Sequence, residues 1–221
     1  MRRVSIIAAA LTLLLAGSAT AQEWSRFVSK ADLFAVNLPG EPKVEDITYT
    51  SEYDITLPGR VYTVENARGR YTVTVVDYAN TEKIHTERAD KCRKEGNDPD
   101  ACNNLWKVDV LGSMDFAVGK FVERNAKVTH YAWYWSDWIE GRRVQLLNPD
   151  NSRTFGVVHR HGTRLYIMEG TVPAKAPPPS LFQQSVQFLD ENLKPVRYKY
   201  LYSTGYTDEW TFPSQGPPRV R

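Results

Sequence analysis

Alternating apolar and polar positions recur in short stretches over most of the chain, whereas helical spacing is confined to two places. Leu33 to Leu38 (LFAVNL) alternates and stops at Pro39-Gly40, which predicts a strand closed by a turn. Trp24 to Val28 can pair with it, and Glu45 to Tyr53 is a weaker strand. Arg60 to Glu65 and Arg70 to Tyr78 are rich in β-branched and aromatic residues and flank Asn66-Ala67-Arg68-Gly69, so they predict a hairpin. Four further strands are expected at Val128–Asp137, Arg142–Leu147, Arg153–His161 and Arg164–Val172. Their turns fall at Glu140-Gly141, Asn148–Ser152 and Gly162-Thr163. Short turns between successive strands imply an antiparallel meander. Pro195 to Tyr202 can form a last strand.

The longer helical pattern is Trp106, Val110, Met114, Ala117 and Phe121, widened by Leu105 and Val118. It predicts a helix that starts near Asp98-Pro99, with Asp as cap and Pro in the first turn, and ends by Asn125. Ser180 to Asp190 reads as a short amphipathic helix that buries Leu181, Phe182, Ser185, Val186, Phe188 and Leu189. Thr81 to Asn97 is charged and weakly patterned, a loop or frayed helix. Residues 203–221 form an aromatic and proline-rich tail without periodicity. The expected fold is α+β: one globular domain over residues 22–202, an antiparallel sheet packed by one long and one short helix.

The first 21 residues change the compartment. Arg2-Arg3, an apolar run from Ile6 to Ala16 and a small-residue end at Ala19-Thr20-Ala21 make a secretory signal peptide cut before Gln22. An uncleaved anchor is the rival, weakened by Thr12, Gly17, Ser18 and Thr20. No later stretch approaches a membrane span, so the expected location is periplasmic or secreted. There, Cys92 and Cys102 should form a disulfide rather than a reactive thiol pair. The chain holds 28 Lys+Arg and 26 Asp+Glu; without Arg2 and Arg3 the two signs balance. A neutral chain lacks the basic face that a nucleic-acid binder needs.

Candidate chemistry comes mainly from sorting the meander's two faces. One collects Tyr131, Trp133, Trp135, Val144, Leu146, Val158, Leu165 and Ile167, apolar enough to receive the long helix. The other carries Tyr134, Ser136, Trp138, Arg143, Gln145, Phe155, His159, Tyr166 and Met168. Either the short helix and solvent cover this second face, or it is a shallow recognition surface. On the second reading, rings stack on sugar or peptide. The candidate ligand-binding residues are then Tyr134, Trp138, Arg143, Gln145, His159 and Tyr166. Arg142, Arg143, His159, Arg160, His161 and Arg164 also gather near the turns, as solvated charges or as an anion site. His159-x-His161 has a chelating spacing, with His130, His85 or Glu140 as a third ligand, but exposed hairpin histidines are the commoner case. Neither residue is assigned to a metal. No nucleophile elbow, phosphate-binding loop, dinucleotide fingerprint or zinc-protease motif occurs, and no cofactor is implied.

Phe34-Ala35-Val36-Asn37-Leu38-Pro39 resembles the early F-x-V-x-(F/L/Y)-P strand of PsbP-like domains. Arg164-Leu165-Tyr166-Ile167-Met168-Glu169, continued by Phe182 and Ser185-Val186-Gln187-Phe188, is similar to their closing strand and helix. The likeness spans about residues 24–190, and the chain as a whole resembles exported bacterial proteins with such ends. It implies an αβα sandwich, and members that bind or stabilise partner proteins rather than catalyse. The strands within 45–78, the disulfide loop and the tail depart from that pattern, and no functional residue carries over. The expected function is a non-catalytic exported binding or accessory protein with a protein or glycan partner in the cell envelope. The alternatives are a motif-less or metal-assisted hydrolase, and an envelope factor tethered by its tail.

Overall fold

The computed structural model describes residues 24–198 and 201–203. The leader at 1–21 and the tail beyond Ser203 lie outside the described residues. Among the described residues ten strands and three α-helices follow one another: β1 Ser25–Ser29, β2 Phe34–Leu38, β3 Lys43–Thr50, β4 Thr56–Asn66, β5 Gly69–Asp77, α1 Thr81–Lys94, α2 Trp106–Val122, β6 Lys127–Ser136, β7 Ile139–Leu147, β8 Arg153–His161, β9 Arg164–Val172, α3 Ser180–Gln183 and β10 Gln187–Phe188. The class is α+β, dominated by antiparallel sheet.

Seven strands form one sheet in the order β3-β4-β5-β9-β8-β7-β6, and three form a smaller one, β1-β2-β10. The central strands are buried on both faces because their sequences offer apolar residues at both parities. In β5, Tyr71, Val73 and Val75 enter one core while Val76 enters the other. The first core lies between the two sheets. Phe34, Val36, Leu38 and Phe188 of the small sheet meet Tyr62, Phe155, Val157, Tyr166 and Met168 of the large one. The second core joins Trp106, Val110, Met114, Ala117 and Phe121 of α2 to Val144, Leu146, Val158 and Leu165.

Several expectations change here. The stretch from Thr81, expected as a loop or frayed helix, is a regular 14-residue helix. It has no continuous apolar stripe; instead His85 and Ala89 are buried, and Lys83–Glu87 and Lys91–Glu95 pair along its exposed side. His85 Nε2 donates to Asp109 Oδ2 at 2.9 Å, and Ser51 Oγ donates to the same oxygen at 2.6 Å. That buried junction holds α1 against α2 and the β3–β4 turn. Helix α2 starts at Trp106 rather than near Asp98, because Asp98-Pro99 opens a separate 3-10 turn at Pro99–Ala101. Asp98 Oδ1 accepts the Asp100 N–H there. The Cys92–Cys102 disulfide bridges the end of α1 to this turn.

The expected helix over 180–190 stops after four residues. Gln187 and Phe188 instead pair with Ala35 and Phe34, which satisfies backbone groups and places Phe188 in the core. The second face of the large sheet is therefore covered mainly by a small sheet, with Phe182 of the four-residue α3 packed beside it on Tyr71, rather than by a helix spanning 180–190. The described residues of the expected strand from Pro195 to Tyr202, which are 195–198 and 201–202, form no extended strand either. Among them are the single bridges Leu189↔Pro195 and Ile139↔Tyr202. Among the described residues no helix is long and apolar enough to cross a membrane.

Candidate ligand-binding surface

The β6–β7 hairpin turns at Asp137-Trp138, not at Glu140-Gly141, and pairs Tyr134 with Gly141 and Tyr131 with Val144. Relative to the expected turn this is an even displacement, so the paired strand residues keep their faces, whereas Trp138 falls in the turn itself and leaves the second face. What differs is the cover. Val144, Leu146, Val158 and Leu165 lie beneath α2, but β6 is the sheet's edge and α2 does not reach it. Tyr131, Trp133, Trp135 and Trp138 remain 53%, 47%, 47% and 49% exposed. Trp133 and Trp135 therefore face solvent instead of receiving the helix.

The opposite face fares differently. His159 and Tyr166 are essentially fully buried in the core between the sheets, and Phe155 and Met168 with them. Of the candidate set, His159 and Tyr166 therefore form part of the core and not of an open surface. His159 Nδ1 donates to the Glu140 carbonyl at 3.1 Å, and its ring meets Phe188 at 5.3 Å between centroids. Burial pushes the His159 imidazole down to about 4. His161 is also buried, hydrogen-bonded through Nε2 to Tyr198 Oη at 2.9 Å. Burial, with the charges of Arg164 and His159, pushes it down to about 4 as well. The two imidazoles are core groups rather than an exposed hairpin pair. No group of three or more His, Cys, Asp or Glu side chains is arranged to hold a metal among the described residues.

Of the other second-face candidates, Tyr134 is half-buried against the inter-sheet core, with the Arg143 guanidinium 5.0 Å over its ring. Gln145 is half-buried beside Phe155 in register. Trp138 does not join them. Its ring stacks on Trp135 at 6.3 Å with a 21° interplanar angle, and Trp135 lies 5.1 Å from Trp133. The six candidates are thus not one surface.

The basic cluster also divides. Arg142 forks between Glu140 Oε1 and Asp115 Oδ1, both at 2.9 Å. Arg160 is buried under α2, donating to the Val110 carbonyl at 2.9 Å and to Ser113 Oγ at 3.2 Å. Burial lowers its guanidinium to about 10, so it keeps its charge at neutral pH. Arg143, His159, His161 and Arg164 belong to the other face by register. No common anion site forms from these six.

What the sheet does assemble is a row of four exposed aromatics on an edge strand. Tyr131, Trp133 and Trp135 alternate along β6, and Trp138 extends the row from the turn. Asp137 and Trp138 have φ of 48° and 64°, the left-handed pair of a two-residue hairpin turn usually filled by Asn-Gly. A tryptophan in that conformation is costly, and such strain concentrates at functional sites. A polar margin borders the row. Trp133 Nε1 donates to Glu140 Oε1 at 3.3 Å, Arg142 donates to the same oxygen, and Ser203 Oγ donates to Glu140 Oε2. Burial alone would raise the Glu140 carboxyl, but the Ser203 and Arg142 hydrogen bonds outweigh it and hold it below the usual range. The signal for this row was visible as Y-x-W-x-W; what sequence could not show was that α2 stops short of β6.

No protein-family model matches the chain, and no curated protein does. The chain is similar to the solution structure of cyanobacterial PsbP from Synechocystis sp. PCC 6803, at 10% identity and a TM-score of 0.42, over 78% of this chain and 96% of that one.

Proposed function

We propose that the protein is a non-catalytic exported binding protein that holds a glycan against the aromatic row of β6. The observation that carries this reading is the four-ring row left open at the sheet edge. Indole and phenol rings offer flat apolar area with little conformational entropy to lose, which suits the C–H faces of sugar rings. The bordering Glu140–Arg142 pair offers acceptors and donors for hydroxyl groups. The opposite edge supports the contrast. Strand β3 carries Lys43, Glu45 and Asp46, charges that discourage association, whereas β6 carries no charged residue from Val128 to Ser136. The Cys92–Cys102 bridge supports the exported location, since such bonds persist in oxidising compartments. The tethering role of residues 203–221 falls almost wholly outside the described residues.

The test is affinity electrophoresis of residues 22–221 through gels containing soluble envelope and plant polysaccharides, paired with Trp135→Ala. Binding should retard the native chain, and the variant should bind about tenfold more weakly, or about 1.4 kcal/mol. Its melting temperature should hold, because an exposed side chain contributes little to stability. If no polysaccharide retards the chain, or if Trp135→Ala migrates like the native protein, the glycan reading fails.

A further inference from the structure

We propose that a second site, independent of the aromatic row, lies between the small sheet and the β6–β7 turn and takes a small sugar acid. A cavity of about 400 Å³ opens there, within the range of small-molecule sites, and Arg26, Asn37, Ser136, Asp137, Gln187 and Arg197 line it.

The register explains the assembly. Arg26 and Asn37 are direct cross-strand partners, and Gln187 opposes Ala35, two residues from Asn37. All three lie on the parity opposite Phe34, Val36 and Leu38, which fill the inter-sheet core. Arg26 Nη2 donates to Gln187 Oε1 at 3.0 Å, so an amide rather than a carboxylate orients this guanidinium. Ser136 and Asp137 arrive from the other side at the strained turn. That turn therefore directs Trp138 to the aromatic row and Asp137 to this cavity.

The chemistry follows from the lining. Among the described lining residues two guanidinium groups face one carboxylate, Asp137, leaving a single positive charge for a ligand to balance. Guanidinium groups match a carboxylate with paired N–H donors. The amides of Asn37 and Gln187, the Ser136 hydroxyl and the Asp137 carboxylate then provide donors and acceptors for ring hydroxyls. A hydrophobic ligand would leave these groups unpaired, at a cost. The combination of one anionic group and several hydroxyls describes a monosaccharide carboxylate.

The experiment titrates the 22–221 chain, labelled with nitrogen-15, with D-glucuronate, D-glucose and acetate. Backbone amide shifts are followed, and Arg197→Gln and Trp135→Ala are compared with the native protein. Arg197 is exposed, so its substitution should leave folding intact. Glucuronate should shift the amides of Arg26, Asn37 and Ser136, glucose and acetate should bind at least tenfold more weakly, and Arg197→Gln should cost a similar factor. Trp135→Ala should leave the titration unchanged, which separates this site from the row. The proposal is overturned if glucuronate shifts none of these amides, or if Arg197→Gln binds as the native chain does. Equal affinity for acetate would reduce the cavity to a bare carboxylate site and would also overturn it.

Discussion

At the scale of single residues, two glycines show how closely the strands approach their neighbours. A methyl group on Gly141 would lie 2.5 and 2.6 Å from ring atoms of His159 and 2.6 Å from the Val158 carbonyl oxygen. On Gly156 it would meet the Phe121 ring at 2.9 Å. The His159 ring cannot swing away from Gly141, because Phe188 packs against it and its Nδ1 is committed to Glu140. Gly141→Ala should therefore destabilise the fold by about 1–3 kcal/mol, the usual cost of overpacking. Urea unfolding monitored by circular dichroism would register this as a lower midpoint with an unchanged slope. An unaltered midpoint would mean that the His159 ring has room to relax. Arg160 is costly to bury, and its hydrogen bonds to Val110 and Ser113 partly offset that cost.

At the scale of elements, the β6–β7 turn sets strain against presentation. Replacing Asp137-Trp138 with Asn-Gly should stabilise the protein by about 1 kcal/mol, because both positions hold positive φ that those residues adopt at low cost. The same replacement removes one ring from the row and the only acid among the described residues that line the cavity. A raised melting temperature together with weaker polysaccharide retardation is the expected result. No gain in stability would show that the turn is not strained. Helix α1 presents the opposite problem, a polar element held mainly at its ends and on one narrow face. Reducing the disulfide, or making Cys92→Ser with Cys102→Ser, should cost about 2–3 kcal/mol from loop entropy. Thermal scans with and without reductant would measure it. These two elements also mark where the sequence was readable. The strands of the meander were legible because apolar alternation has a fixed period, and an even error in the turn preserves the faces. Helix α1 was only half legible, as a loop or a frayed helix, since its support comes from Asp109 and Ser51, distant in sequence. The end of the 180–190 helix was not legible, because Phe188 joins β2, a partner more than 150 residues away.

At the scale of the molecule, the two sheets enclose titratable groups whose neutrality is a condition of the fold. His159 and His161 lie in or beside the core formed by both sheets with Val196, Tyr198 and Tyr202, and Phe188 touches both rings. Each is lowered to about 4 in the folded state, against about 6.5 for an unfolded histidine. Between those values the unfolded chain takes up protons that the folded chain refuses. Stability therefore rises with pH across this window and falls as pH drops from about 6.5 towards 4. The slope approaches two protons per molecule, about 1.4 kcal/mol per pH unit for each. Glu140 is held below its ordinary range, so its contribution is present above that range and is lost only under more acidic conditions. The separation of these windows makes the histidine term measurable. Urea midpoints recorded at pH 7, 6, 5 and 4 should decline most steeply between 6 and 4. His159→Phe keeps an aromatic ring beside Phe188 and should halve that slope, whatever it does to stability at pH 7. If the variant and the native chain lose stability in parallel, folded His159 takes up its proton as readily as the unfolded chain does, and the inter-sheet core is wetter than its burial implies.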